Sequence, residues 1–203
     1  MAVIPGSNPG GPIQLFPVRN VFKITEYILE FMIDLVQLLN KNKMQFNFNE
    51  TRINFLLESR NGRILRESIN RFVDERNFFL GLGIWLGERT KEMPDEKRIE
   101  LINSDPFIIE IFLKFLKELG IPKDRIRVKI IIKNGDKSSS REKTRSAESF
   151  WMKRTKIVKE NFWKTIVVES KTKRRRKNYF GTLTLRVLKG TVLYNIFSSF
   201  CAN

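Results

Sequence analysis

Glu88 ends a stretch that carries no charge after Arg76, and Arg89 and Lys91 follow it almost at once. A buried segment of this kind delivers one carboxylate to a polar place. Gly83 and Gly87 stand four residues apart, so on a helix both fall on one face, where missing side chains let a second backbone approach closely. Glu88 is the next residue after that face. Two helices crossing at the glycines would set two carboxylates side by side at their ends. Paired carboxylates bind a divalent cation through hard oxygen ligands, and a cation so held activates water against a phosphodiester. The plainer use of the same residues is an apolar core helix whose glycines relieve crowding.

The run Gly83-Ile84-Trp85-Leu86-Gly87-Glu88-Arg89-Thr90-Lys91 resembles the motif of the LAGLIDADG homing endonuclease family, in the variant form that reads roughly Gly-Leu-aromatic-Leu-Gly-Glu-Gly-Thr-Lys. The resemblance implies that Gly83 and Gly87 pack two motif helices together and that Glu88 is the catalytic, metal-binding acid, with Mg²⁺ as cofactor. Arg89 departs from the pattern, standing where the family has glycine. A guanidinium there would pair with the carboxylate and compete for the cation. The likeness continues through Asn103-Ser104-Asp105-Pro106 before an apolar helix, a later tryptophan-containing helix, and Tyr179-Phe180-Gly181-Thr182 opening a strand, covering roughly residues 76 to 197.

Composition narrows the chemistry. Histidine is absent and Cys201 is the only cysteine, which removes histidine triads, cysteine-histidine pairs, zinc fingers and histidine-based nucleases. The net charge of +16 is localised, because residues 121–190 hold 22 Lys and Arg against 6 Asp and Glu while the remainder is balanced. That excess is the footprint of a polyanion, most often nucleic acid. No secretory signal is visible in the first twenty residues, and charge interrupts every long apolar segment, which argues against a membrane span. The expectation is a cytoplasmic protein, nucleoid-associated or organellar as variants of it.

Along the chain, residues 1–20 are rich in proline and glycine and read as a flexible arm. Residues 21–75 read as a small helical region. Val21 to Asn40 predicts a mostly buried helix with an acidic stripe at Glu26, Glu30 and Asp34. Residues 50–76 predict two short helices split at Asn61-Gly62, with a helix-turn-helix reader as one use of them. Residues 76–203 read as the nucleic-acid-binding domain. Arg98 to Ile102 predicts a strand. A helix then begins at Pro106 under a Ser104 or Asp105 cap and ends at Gly120, with Phe107, Ile108, Ile111, Phe112, Phe115, Leu116 and Leu119 as its apolar face.

Arg125 to Lys133 alternates, with Ile126, Val128, Ile130 and Ile132 on one side and Arg125, Arg127, Lys129 and Lys133 on the other. Strand side chains alternate between faces, so this predicts a sheet with one apolar and one cationic side. Residues 134–145 read as a loop, and Ser146 as the cap of a helix carrying Phe150, Trp151 and Ile157. Phe162–Glu169 and Phe180–Val187 read as two strands of a hairpin. Its tip, Lys171, Lys173, Arg174, Arg175, Arg176 and Lys177 around Thr172, repels itself unless phosphates neutralise it. Thr182, Thr184 and Arg186 share a face and join the candidate contacts, as does Lys91 beside the acid. Thr191 to Phe200 predicts a closing helix.

The order of elements gives an α+β class with an antiparallel sheet and helices on one face. The resemblance implies that the bare face is a saddle on double-stranded DNA. It also implies a homodimer whose two Glu88 carboxylates meet at the two-fold axis, and a sequence-specific, Mg²⁺-dependent endonuclease. A non-catalytic DNA-binding regulator of the same fold and an RNA-binding splicing helper are the alternatives, since a basic sheet does not by itself separate DNA from RNA.

Overall fold

A computed structural model describes residues 31–39, 44–88, 97–134, 140–169 and 180–201. Period-two alternation builds its first part. In β3 (Arg52–Glu58) and β4 (Ile64–Asn70), Ile53, Phe55 and Ile69 turn inward and are buried, while Arg52, Asn54 and Ser68 take the other side. The two strands form an antiparallel hairpin with Ile53 opposite Ile69 and Asn54 opposite Ser68. β2 (Gln45–Phe48) adds antiparallel to β3. A short pair, β1 (Met32–Asp34) with β5 (Phe72–Asp74), flanks this sheet. Arg71 donates to the Asp34 carboxylate from Nε at 3.0 Å, and this bond holds the Asp34 carboxyl below the usual carboxylate range.

The two helices expected between residues 50 and 76 are therefore strands. Asn61-Gly62 is a turn, but a hairpin turn: Gly62 takes a positive φ of 75°, and Ser59 N–H donates to the Arg63 carbonyl at 2.8 Å. An Asn-Gly pair between two short alternating runs signals a hairpin, and runs this short satisfy helical spacing as well. The expected helix from Val21 lies outside the described residues up to 30. From 32 on it is strand β1 and a 3-10 turn at Leu35–Leu38.

α1 (Glu75–Glu88) starts where the Asp74 carboxylate accepts from Asn77 N–H at 2.8 Å. β6 (Ile99–Asn103) and α2 (Pro106–Glu118) follow as the sequence predicts. The Asp105 carboxylate caps α2 by accepting from Phe107 N–H at 2.8 Å, Pro106 fills the first turn, and Gly120 leaves it at φ 79°. Phe112, Phe115, Leu116 and Leu119 are buried as expected; Phe107, expected inward, is exposed, and Ile109 is buried in addition. Glu118 hydrogen-bonds Asn77 of α1 at 2.9 Å, and burial raises its carboxyl above the ordinary value.

β7 (Ile126–Asn134) alternates as expected: Ile126, Val128, Ile130 and Ile132 are buried, and Arg127, Lys129, Ile131 and Lys133 are not. α3 (Ser140–Thr155) begins six residues before the expected cap at Ser146, because its first turns are strong helix formers held by one buried row, Ala147 and Trp151. β8 (Ile166–Glu169) and β9 (Thr182–Val187) are strands but not a hairpin. The order in the sheet is β6-β9-β7-β8, so β7 lies between them, and β8 runs parallel to β7 while the other pairings are antiparallel. β8 and β9 are therefore not hairpin partners, and the expected tip, residues 170 to 179, lies outside the described residues. α4 (Thr191–Phe200) closes the core as expected.

The class is α+β, with four helices among the described residues. The sheet face bearing Ile99, Leu101, Val128, Ile130, Leu183 and Leu185 shares a core with Trp85, Phe112, Phe115 and Phe197 from the helices, and Ile53, Phe55 and Ile69 of the first sheet belong to the same core. Trp85 packs edge-on against Phe197 at 5.3 Å between ring centres, and Phe115 packs on Phe197 at the same distance.

Candidate active site and nucleic-acid interface

The two sides of α1 differ in kind. Phe78, Gly81, Leu82 and Trp85 face the core. Gly81 is the glycine that permits close packing inside the chain: a Cβ there would stand 2.2 Å from Cγ of Phe115 on α2. Sequence reasoning passed over it, because only the partner helix reveals which glycine is crowded. Gly83 and Gly87 lie on the other side, where an added Cβ would meet no atom within 4 Å. Around them Phe79, Leu80 and Leu86 are 48%, 51% and 44% exposed. Spaced three and four apart, these five residues form an apolar stripe with a glycine floor.

Glu88 is the last residue of α1 and is exposed. Unsatisfied carbonyls make a helix C-terminus partly negative, so a carboxylate there is better held beside a cation. Lys91 and Arg89 lie outside the described residues. Among the described residues no group of three or more histidine, cysteine or carboxylate side chains could hold a metal ion. Among the described residues, Glu88 is the acid that α1 brings to this end. Two such ends would supply the paired hard-oxygen ligands that Mg²⁺ takes, with waters and phosphate oxygens completing the set.

The sheet face opposite the core carries Arg127, Lys129, Ile131 and Lys133 from β7, Thr182, Thr184 and Arg186 from β9, and Glu100 and Ile102 from β6. Arg127, Lys129 and Lys133 share this face with no acid on their own strand. Arg186 differs: its Nε donates to Glu100 at 2.6 Å directly across the strand pair, and its guanidinium stands 5.5 Å from the centre of the Trp163 ring. Thr184 is only 3% exposed, and its hydroxyl, without a hydrogen-bond partner among the described residues, is too buried to be the ligand contact the sequence suggests. Lys171, Lys173, Arg174, Arg175, Arg176 and Lys177 fall outside the described residues.

Arg125 belongs elsewhere. It precedes β7 in a 3-10 turn and donates from Nη1 and Nη2 to the two carboxylate oxygens of Glu67 on β4, each at 2.8 Å. It also donates to the Leu188 carbonyl at 3.1 Å. Its place is a tie between the two sheets. Glu67, Glu100 and Trp163 are the residues that sequence reasoning missed here. Glu100 left a trace, as the lone charge inside Ile99-Glu100-Leu101-Ile102, but Glu67 is assigned to Arg125 only by the fold.

Comparison of the chain with protein-family models, with curated proteins and with solved structures finds no match in any of the three.

Proposed function

We propose that two copies of this chain pair through the open stripe of α1 and act on double-stranded DNA as a sequence-specific, Mg²⁺-dependent endonuclease of homing type. The observation that carries this reading is the conjunction on α1: an apolar, glycine-floored face that nothing among the described residues covers, ending at an exposed carboxylate. Exposed apolar stripes of this kind mark association surfaces, and a two-fold pairing of one surface with itself brings equivalent ends together. Arg127, Lys129 and Lys133 would hold backbone phosphates through charge. Thr182 would add a hydrogen bond. The two Glu88 carboxylates would hold Mg²⁺, which supplies water activation and charge neutralisation at the scissile phosphate.

A second reading draws on the solitary acid. With Glu88 the one acid at this end among the described residues and Arg89 next to it in sequence, a non-cleaving regulator of the same fold accounts for the basic face equally well. A splicing helper that binds structured RNA differs only in its ligand. One experiment separates chemistry from binding: Glu88→Gln has nearly the same shape, so it should abolish cutting of a target library in Mg²⁺ while leaving binding unchanged or slightly tighter. Undiminished cutting by the variant sinks the catalytic role. If wild type binds duplexes and never cuts, the regulator is favoured, and preference for folded RNA over duplex DNA in competition favours the helper.

A further inference from the structure

On the outward side of the first sheet, three asparagines stand in strands, where asparagine is a poor strand former: two in strand interiors and one at the end of β4. Asn47, Asn54 and Asn70 lie on one face of β2, β3 and β4 with Gln45, Arg52, Arg66 and Ser68. Hydrogen bonds join most of them into a ladder across all three strands. Asn54 Nδ2 donates to Asn47 Oδ1 at 3.2 Å, Ser68 Oγ donates to Asn54 Oδ1 at 2.9 Å, and Arg52 Nε donates to Ser68 Oγ at 3.1 Å. At its inner end the ladder is structural: Arg52 Nη1 donates to Asn70 Oδ1 at 2.6 Å, and Asn70 Nδ2 donates to the Glu118 carbonyl that ends α2. The outer end has no such task. Gln45, Asn47 and Arg66 are exposed there, and Asn54 is half-buried.

We propose that this outward face of β2, β3 and β4 is a second nucleic-acid contact, a base-reading surface that enters the major groove of duplex DNA with Gln45, Asn47 and Asn54 as readers and Arg66 on phosphate or guanine. It rests on the reading of the chain as a duplex-DNA binder and adds to it a reader separate from the cationic face of β7. A two-stranded ribbon such as β2 with β3 fits the major groove, where an amide can bond an adenine at two points and an arginine a guanine. Same-face residues on a strand are about 6.8 Å apart, close to the rise of two base pairs, so neighbouring rungs meet alternate bases. Amides already bonded to one another lose little freedom when a base arrives. The acids near the face, Glu50 and Glu58, sit at its two ends, whereas Glu67 points inward to Arg125. The deep, narrow major groove of A-form RNA would not admit the sheet.

The test uses the full chain and a randomised duplex library, sequencing what is retained. Wild type should select a site in which two to four base pairs lose their preference in Asn47→Ala, in Gln45→Ala and in Asn54→Ala. Discrimination at those pairs should drop about tenfold or more per reader, with the salt dependence of binding unchanged. Gln45 and Asn47 are exposed, so these two variants leave the fold intact even if Asn54→Ala does not. A selected site with all its preferences kept in the Gln45 and Asn47 variants overturns this inference and leaves the DNA-binding reading standing. Absence of duplex binding by wild type overturns both.

Discussion

Glu100 lies opposite Arg186 on neighbouring strands, and Glu67 meets Arg125 between the two sheets, so four charged residues of similar type in the sequence do two different jobs. The Glu100 pair stands on the outward face among Arg127 and Lys129. Its acid both occupies Arg186 and repels an approaching phosphate. Glu100→Gln should therefore tighten binding to all duplexes and steepen its salt dependence by about one further phosphate contact, roughly 0.9 in slope. Glu67→Gln should do neither. It leaves a largely buried guanidinium short of a carboxylate and should lower unfolding stability by about 1–3 kcal/mol. Salt titrations of binding together with urea unfolding of both variants make the comparison, and a lower slope in Glu100→Gln would remove Arg186 from the interface.

At the scale of elements, α1 turns one glycine to the core and two to solvent, and equal substitutions should act oppositely on the two sides. Gly81→Ala drives a methyl into Phe115 and should destabilise by about 1–3 kcal/mol. Gly83→Ala meets open space and should stabilise the isolated chain by up to about 1 kcal/mol through helix propensity. Unfolding curves below the association range check both, and a destabilised Gly83→Ala would mean that this face is covered within the chain. Sequence alone could place α1 and its two candidate packing glycines, since an uncharged run with a four-residue glycine spacing is local information. The same holds for α2, whose Asp105 cap, Pro106 and Gly120 mark both ends, and for the alternation of β7. What it could not place depends on pairing between distant segments. β3 and β4 are each seven residues and fit helical or strand spacing until their mutual register buries Ile53 against Ile69. β8 and β9 are adjacent in order, yet β7 separates them in the sheet, and no local pattern encodes that crossover.

For the molecule as a whole, the excess of charge and the open stripe of α1 pose linked questions, because an interface built by two chains makes each chain's chemistry depend on its partner. The net +16 of one chain would repel a second copy. The excess lies in residues 121–190, however, while the stripe from Phe79 to Gly87 carries no charge, so contact there adds apolar burial without bringing like charges together at the seam. If the two Glu88 carboxylates must then act together, mixing wild type with Glu88→Gln at fixed total protein should reduce total strand scission, nicks included, as the square of the wild-type fraction. At equal amounts, about one quarter of the activity should remain when the chains exchange freely. Binding should stay constant across the series, which separates lost chemistry from lost assembly, and Gly87→Leu should prevent the exchange by keeping chains apart. A linear fall, with one half remaining at equal amounts, would mean that each chain cuts with its own acid, and the paired site at the end of α1 would have to be abandoned.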